Sequence, residues 1–218
     1  MKSNWLPLAA AAGAICLAGP VLALPKSAPT TGSKFVVDIN YSKHGNGGTA
    51  KFWVKGDNVR EEKKSGGGLR VIMITNDRGV FLKNKYSSVW ARMSKRVAIH
   101  LADRLLGGPS GDPKPFLKEH QAKQVSIRKW NGEPCAIWDY ASAKNIEHYK
   151  LWISARTGKP IRLERDALLG GRFREKITVT YTSYAWNVPL EDALFKVPTN
   201  EQVRDMSKSM LMKPGLQK

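Results

Sequence analysis

The sequence predicts a mainly β protein: a curved antiparallel sheet of about ten or eleven strands, forming an incomplete (half) β-barrel with a helical lid. Three observations carry this. Apolar and polar residues alternate at period two through most of the chain. Turns rich in Gly and Asn punctuate those segments, as at Gly45-Asn46-Gly47-Gly48 and Asn131-Gly132. Only one internal stretch, around 97–119, switches to a helical period. Helices too few to cover two sheet faces, and strands too many for a small sandwich, leave a bent sheet capped on its concave side.

The elements follow in order. Residues 1–23 carry a basic start at Lys2, an apolar centre from Leu8 to Leu22, and Val21-Leu22-Ala23 as small-residue exit, the parts of a secretory signal cleaved after Ala23. Pro20 interrupts a run already short for a membrane span of about 20 residues. Cys16 follows Gly13-Ala14-Ile15, which lacks the approach of a lipoprotein-processing site. Residues 24–34, rich in Ser, Pro and Thr, read as a flexible mature N-terminus.

The main domain spans 35–199. Phe35, Val37, Ile39 and Tyr41 alternate with polar neighbours, and Ala50, Phe52 and Val54 do so on the return strand. Leu69 to Thr75 is nearly all apolar, the pattern of a strand covered on both faces. Further strands run near 80–82 and 86–93. Val97, Leu101 and Leu105 form a helical stripe ended by Gly107-Gly108-Pro109, and Asp112-Pro113 begins a second helix. Period two then returns through five segments, the last running from Phe173 to Trp186. Residues 200–218 place Val203, Met206 and Met210 on one face of a C-terminal helix.

The 218 residues carry 36 Lys plus Arg against 18 Asp plus Glu, a formal charge of +18. Such a surplus invites nucleic acid, but export and the sequestering of Trp53, Trp90, Trp130, Trp138, Trp152 and Trp186 in alternating strands argue against it. The basic residues mostly alternate with apolar ones and so form an outer face, suited to an anionic membrane surface or envelope polymer.

Enzyme signals fail one by one. Glu61 and Glu62 are adjacent on a strand and point to opposite faces, so they cannot act as one acid/base pair. Ser65-Gly66-Gly67-Gly68 lacks the Lys-Ser/Thr completion of a phosphate loop. The four His show no spacing for metal or for partnering Cys135, which reads as a strand cysteine. No metal or cofactor is expected.

One apolar set would line the inward face: Phe35, Val37, Ile39, Phe52, Val54, Met73, Leu82, Val89, Met93, Leu101, Leu105, Ile127, Tyr149, Leu151, Ile153, Leu163, Ile177 and Val179. It serves either a packed core or an unfilled cavity holding an acyl chain.

The order of short motifs carries a resemblance. Lys55-Gly56-Asp57-Asn58-Val59-Arg60-Glu61 precedes an apolar strand, followed by Thr75-Asn76-Asp77-Arg78-Gly79-Val80. Trp130-Asn131-Gly132-Glu133-Pro134-Cys135 comes next, then Leu151-Trp152-Ile153-Ser154 leading to Thr157-Gly158-Lys159-Pro160, and finally Asp192-Ala193-Leu194-Phe195-Lys196-Val197-Pro198. In this order they resemble the lipoprotein-carrier (LolA/LolB-like) superfamily, in its uncharacterised exported branches, from about Phe35 to Met206. The resemblance implies a half-barrel with a helical lid and a hydrophobic lipid cavity. It implies a monomeric periplasmic carrier or sensor whose partner is an acyl chain, lipid or lipoprotein, in outer-membrane lipoprotein sorting. It also implies that Arg60 hydrogen-bonds the lid and locks it, the alternative being one more outward basic residue. The competing function is a non-enzymatic interaction protein whose basic surface binds anionic envelope polymers or membranes.

Overall fold

The structure, a computed structural model, describes residues 31–43, 47–93, 107–142, 147–169 and 173–206. The predicted signal segment, most of residues 24–34, Leu101, Leu105 and the tail beyond 206 lie outside the described residues.

Twelve strands form one open, curved sheet. In chain order they are β1 (Thr31–Tyr41), β2 (Gly48–Lys55), β3 (Asn58–Ser65), β4 (Arg70–Asn76), β5 (Gly79–Asn84), β6 (Val89–Met93), β7 (Lys123–Trp130), β8 (Glu133–Ala141), β9 (His148–Ser154), β10 (Pro160–Leu169), β11 (Phe173–Pro189) and β12 (Gln202–Asp205). Across the sheet the order is β12-β6-β5-β4-β3-β2-β1-β11-β10-β9-β8-β7. Two meanders, β1 to β6 and β7 to β11, are therefore joined along the β1–β11 pairing. That seam closes a long sequence separation, and hairpins build the rest.

Curvature has a local cause at the seam. β11 has 17 residues against the 11 of β1, and register shifts fall at Gly32/Ser33 and Val36/Val37. The surplus residues on β11 are Thr182 and Asn187, the latter at φ 56°. Extra residues on one strand bend it and increase its twist.

Two sequence expectations change here. β1 begins at Thr31, so the last residues of the leader are already sheet. At the other end, Gln202–Asp205 is a strand pairing parallel with β6, where a helix was expected. Four residues lying against an open edge gain ladder hydrogen bonds that an exposed helical turn lacks, and an isolated short helix is marginal. This strand makes the sheet mixed and raises the count to twelve.

The insertion contributes α1 (Pro113–Glu119) among the described residues. Asp112 caps it, its Oδ1 accepting from Lys114 N at 3.0 Å, with Pro113 in the first turn. Leu117 and Phe116 pack on the sheet. The covered side is the inner face.

Candidate functional site

Cross-strand register decides which side chains share the inner face. Phe35 pairs with Phe52 and Tyr184; Phe52 leads on through Glu61, Met73 and Leu82 to Ala91. In the other direction Val179 pairs with Leu163, and Leu163 with Leu151. One inward row thus crosses from β11 to β6, interrupted by Glu61 on β3, and a second crosses from Ile39 on β1 to Leu151 on β9; the apolar cluster they share runs from β2 to β8.

Of the residues predicted to line this face, Phe35, Val37, Ile39, Phe52, Met73, Met93, Tyr149, Leu151, Ile153, Ile177 and Val179 are buried on it, as is Leu163. Val54, Leu82 and Val89 are half-buried. Ile127 departs from the expectation: it lies on the inner side of the sheet but is 65% exposed, because β7 is the last strand and nothing among the described residues covers it.

Three more aromatic residues, Tyr140, Tyr181 and Tyr184, complete the face. Tyr140 stacks on Tyr149 with centroids 4.9 Å apart. Tyr184 stacks on Phe35 at 5.2 Å, and Tyr181 meets Tyr184 edge-on. Tyr181 and Tyr184 are three residues apart, so strict alternation would place them on opposite faces. The surplus Thr182 restores them to one side.

The tyrosine hydroxyls fasten the chain ahead of α1 to the sheet. Tyr184 Oη donates to Pro109 O at 2.8 Å, with Gly111 O at 2.6 Å, and Tyr140 Oη donates to Gly107 O. Glycine is required beneath this segment. A Cβ on Gly107, at φ 57°, would fall 2.2 Å from Tyr149 Cε1, and one on Gly108 would fall 2.4 Å from Tyr181 Oη. Burial pushes the Tyr140, Tyr181 and Tyr184 phenols well above their ordinary range, so they are held as neutral donors.

Charged groups also sit on this face. Arg165, 2% exposed, donates through Nη2 to both Glu147 oxygens at 2.7 and 2.8 Å and lies 5.7 Å from the Tyr149 ring. Its Nε and Nη1, like Tyr181 Oη, are buried with no hydrogen-bond partner among the described residues. Glu61 sits between Phe52 and Met73, 5% exposed, and desolvation raises its pKa while Lys63 partly offsets the effect. Glu62 lies on the other face, as the adjacency argument required.

Among the described residues, Arg60 contacts the C-terminal part of the chain. It pairs across to Trp53 and Ile74, which point away from α1, so it occupies the outer face. There its Nη1 donates to Leu194 O at 3.2 Å, it pairs with Glu62 at 2.6 Å, and it lies 5.9 Å from the Trp53 ring. Its partner is a 3-10 turn at Asp192–Phe195 and not the helix. The position after the second hairpin turn has the parity of the face away from α1, and the lid helix expected from Val97 lies outside the described residues.

That turn belongs to a C-terminal strap whose anchors sequence reasoning missed. Lys55 Nζ reaches Leu190 O at 3.0 Å and Asp192 Oδ1 at 2.7 Å; Asn76 Nδ2 donates to Phe195 O at 2.8 Å. Glu201 accepts from Trp90 Nε1 at 2.9 Å and pairs with Lys83. Val197 covers Ile74, Phe81 and Trp90, so β4 is apolar on both faces, as its sequence predicts. The available signal was that nearly unbroken run from Val71 to Ile74.

Chemically, this site holds apolar area out of water and offers a few buried donors. Cys135 is fully buried on β8, and desolvation and Glu133 push its thiol up, so it is held protonated. Among the described residues no cluster suited to a metal forms, and no helix is long and apolar enough to cross a membrane.

These features define a class: an open, curved single-sheet protein, an incomplete barrel with its inner face apolar and covered by a helix. No protein-family model matches the chain, and no curated protein matches its sequence. Among solved structures it is similar to an uncharacterized conserved protein from Thermus thermophilus, at TM-score 0.50 and 12% identity, over 81% of this chain and 91% of that one. At such identity the likeness is one of fold. More distant are the MucA/MucB complex of Pseudomonas aeruginosa (TM-score 0.40, 17% identity, 80% of this chain and 58% of that one) and the lipoprotein LppX of Mycobacterium tuberculosis (0.43, 12%, 72% and 88%).

Proposed function

We infer that the protein is an exported periplasmic carrier or sensor that holds an acyl chain, free or as part of a lipoprotein, against its inner face. The observation that supports this best is the contiguous apolar cluster that runs from Phe52 on β2 to Tyr140 on β8, on a sheet that does not close on itself. An open sheet cannot bury such a cluster alone, and a movable cover makes its area exchangeable with a lipid tail. The segment from Gly107 to α1 is fastened over one part of the cluster by hydrogen bonds to backbone carbonyls, which can be remade after opening. Binding would use shape and apolar area, with no covalent step. The signal expected at 1–23 and the order of motifs support a role in the periplasm and in outer-membrane lipoprotein sorting.

Extraction of the protein purified from its native envelope, with mass spectrometry of the organic phase, tests the reading directly. Co-purifying acyl lipid and saturable displacement of a fluorescent fatty-acid probe are expected. Absence of both would overturn it. Salt-sensitive retention on anionic vesicles with an empty probe assay would instead favour the surface-binding alternative, which the charge of +18 supports.

A further inference from the structure

The structure assigns a second interaction site to the free edge of β7, and we propose that it receives an extended acidic segment of a partner protein as an added strand. β7 is last in the sheet order and pairs only with β8 among the described residues. The backbone groups on its far side therefore form an open template for another strand.

Three features make this edge selective. Val125 and Ile127 are 54% and 65% exposed, two of the few large apolar side chains left in water among the described residues. Val125 is the extra residue of a bulge between Gln124 and Ser126, so the regular pairing surface is Ser126 to Trp130. Within it, Arg128 and Lys129 are exposed, and they face Cys135 and Pro134 on β8, neither of which can neutralise them. Finally, no Asp or Glu occurs anywhere from His120 to Gly132.

These charges choose the occupant. A second copy of this chain, adding β7 to β7 antiparallel about Arg128, would set Arg128 against Arg128 and Lys129 against Ile127, which is destabilising across a strand pair. An acidic strand meets them favourably. Alternate residues of an added strand point to opposite faces, so acidic positions meet Arg128 on one side while apolar positions meet Ile127 on the other, where the aliphatic stem of Lys129 lies beside it. The chemistry recognised is thus an extended segment of alternating acidic and apolar residues, about five residues long at its core. This site is independent of whether the inner face holds lipid.

The test uses a fluorescein-labelled synthetic peptide of alternating Glu and Val with capped ends, titrated by anisotropy into the whole protein. Controls are the same peptide with two Val replaced by Pro, an alternating Lys and Val peptide, and phosphatidylglycerol vesicles. Saturable binding of the Glu/Val peptide is expected, with new amide protection on Ser126 to Trp130. The Lys/Val and Pro-containing peptides should fail. Arg128→Glu with Lys129→Glu should weaken binding at least tenfold, as should Ile127→Lys alone, with unfolding midpoints unchanged. Equal binding of the Pro-containing peptide would overturn the proposal, since charge alone would then suffice. So would protection elsewhere, or vesicle binding that is lost in the double variant while the Glu/Val peptide never binds.

Discussion

Tyr181 and Tyr184 are a matched pair, and replacing each with Phe isolates what a buried hydroxyl does when it has a partner and when it has none. Both rings are buried on the inner face, and both keep their ring packing in the variant. Tyr184 Oη is shared by the carbonyls of Pro109 and Gly111. Its removal forfeits a net hydrogen bond and leaves a buried carbonyl desolvated, a cost of about 1–3 kcal/mol. Tyr181 Oη is buried without a partner among the described residues, so its removal deletes a group already desolvated at a loss. Tyr181→Phe should therefore be neutral or stabilising by about 1 kcal/mol. The two variants should separate in urea midpoint at unchanged slope, and a shift of roughly 2–4 °C in Tm per kcal/mol is expected for a chain of this size. Amide exchange across Gly107 to Glu119 should accelerate in Tyr184→Phe alone. Equal destabilisation by both substitutions would refute the view that these hydroxyls fasten the segment. Unchanged exchange in both variants would mean that ring packing, not the hydrogen bonds, holds it.

Three further outcomes follow from other parts of the structure. Arg60→Ala should cost about 1 kcal/mol by freeing the Leu194 carbonyl and raise amide exchange around Phe195 and Lys196, while fatty-acid probe affinity stays unchanged; a loss of affinity would return Arg60 to the lid. Glu61 has a folded pKa raised above its unfolded value, so its ionisation opposes folding increasingly as pH rises from the ordinary Glu value through the folded one. Glu61→Gln should thus gain stability over wild type as pH rises above the ordinary Glu value of about 4, read as a widening gap in urea midpoints, and a constant gap would contradict the burial argument. Cys135, in a Cys16→Ser background, should resist a thiol reagent in the native state and react only at the rate of unfolding; prompt native labelling would show that β8 is not sealed.

Much of the sheet was legible because its information is local. The alternation at Phe35, Val37 and Ile39, or at Leu151 and Ile153, reports directly which side of a pleated strand meets the core. The double apolar run in β4 announced cover on both faces, and Asp112-Pro113 announced a helix start. The site was legible only in part, since its central strand breaks the alternation from which inward residues are counted.

What the sequence determined by itself, then, was element type, the order of hairpins and the apolar side of each regular strand, because period and turn chemistry act between near neighbours. Tertiary structure alone decided three matters. Thr182, surplus in the β1–β11 seam, turned Tyr184 inward beside Tyr181, since a bulge exists only relative to its partner strand. Arg60 went to the C-terminal strap because parity from Phe52 and Glu61 leaves it on the outer face. Residues 202–205 became a strand because an unpaired edge of β6 was there to receive them. Each depends on a contact more than a hundred residues away along the chain, and no local pattern encodes the position of a partner that distant.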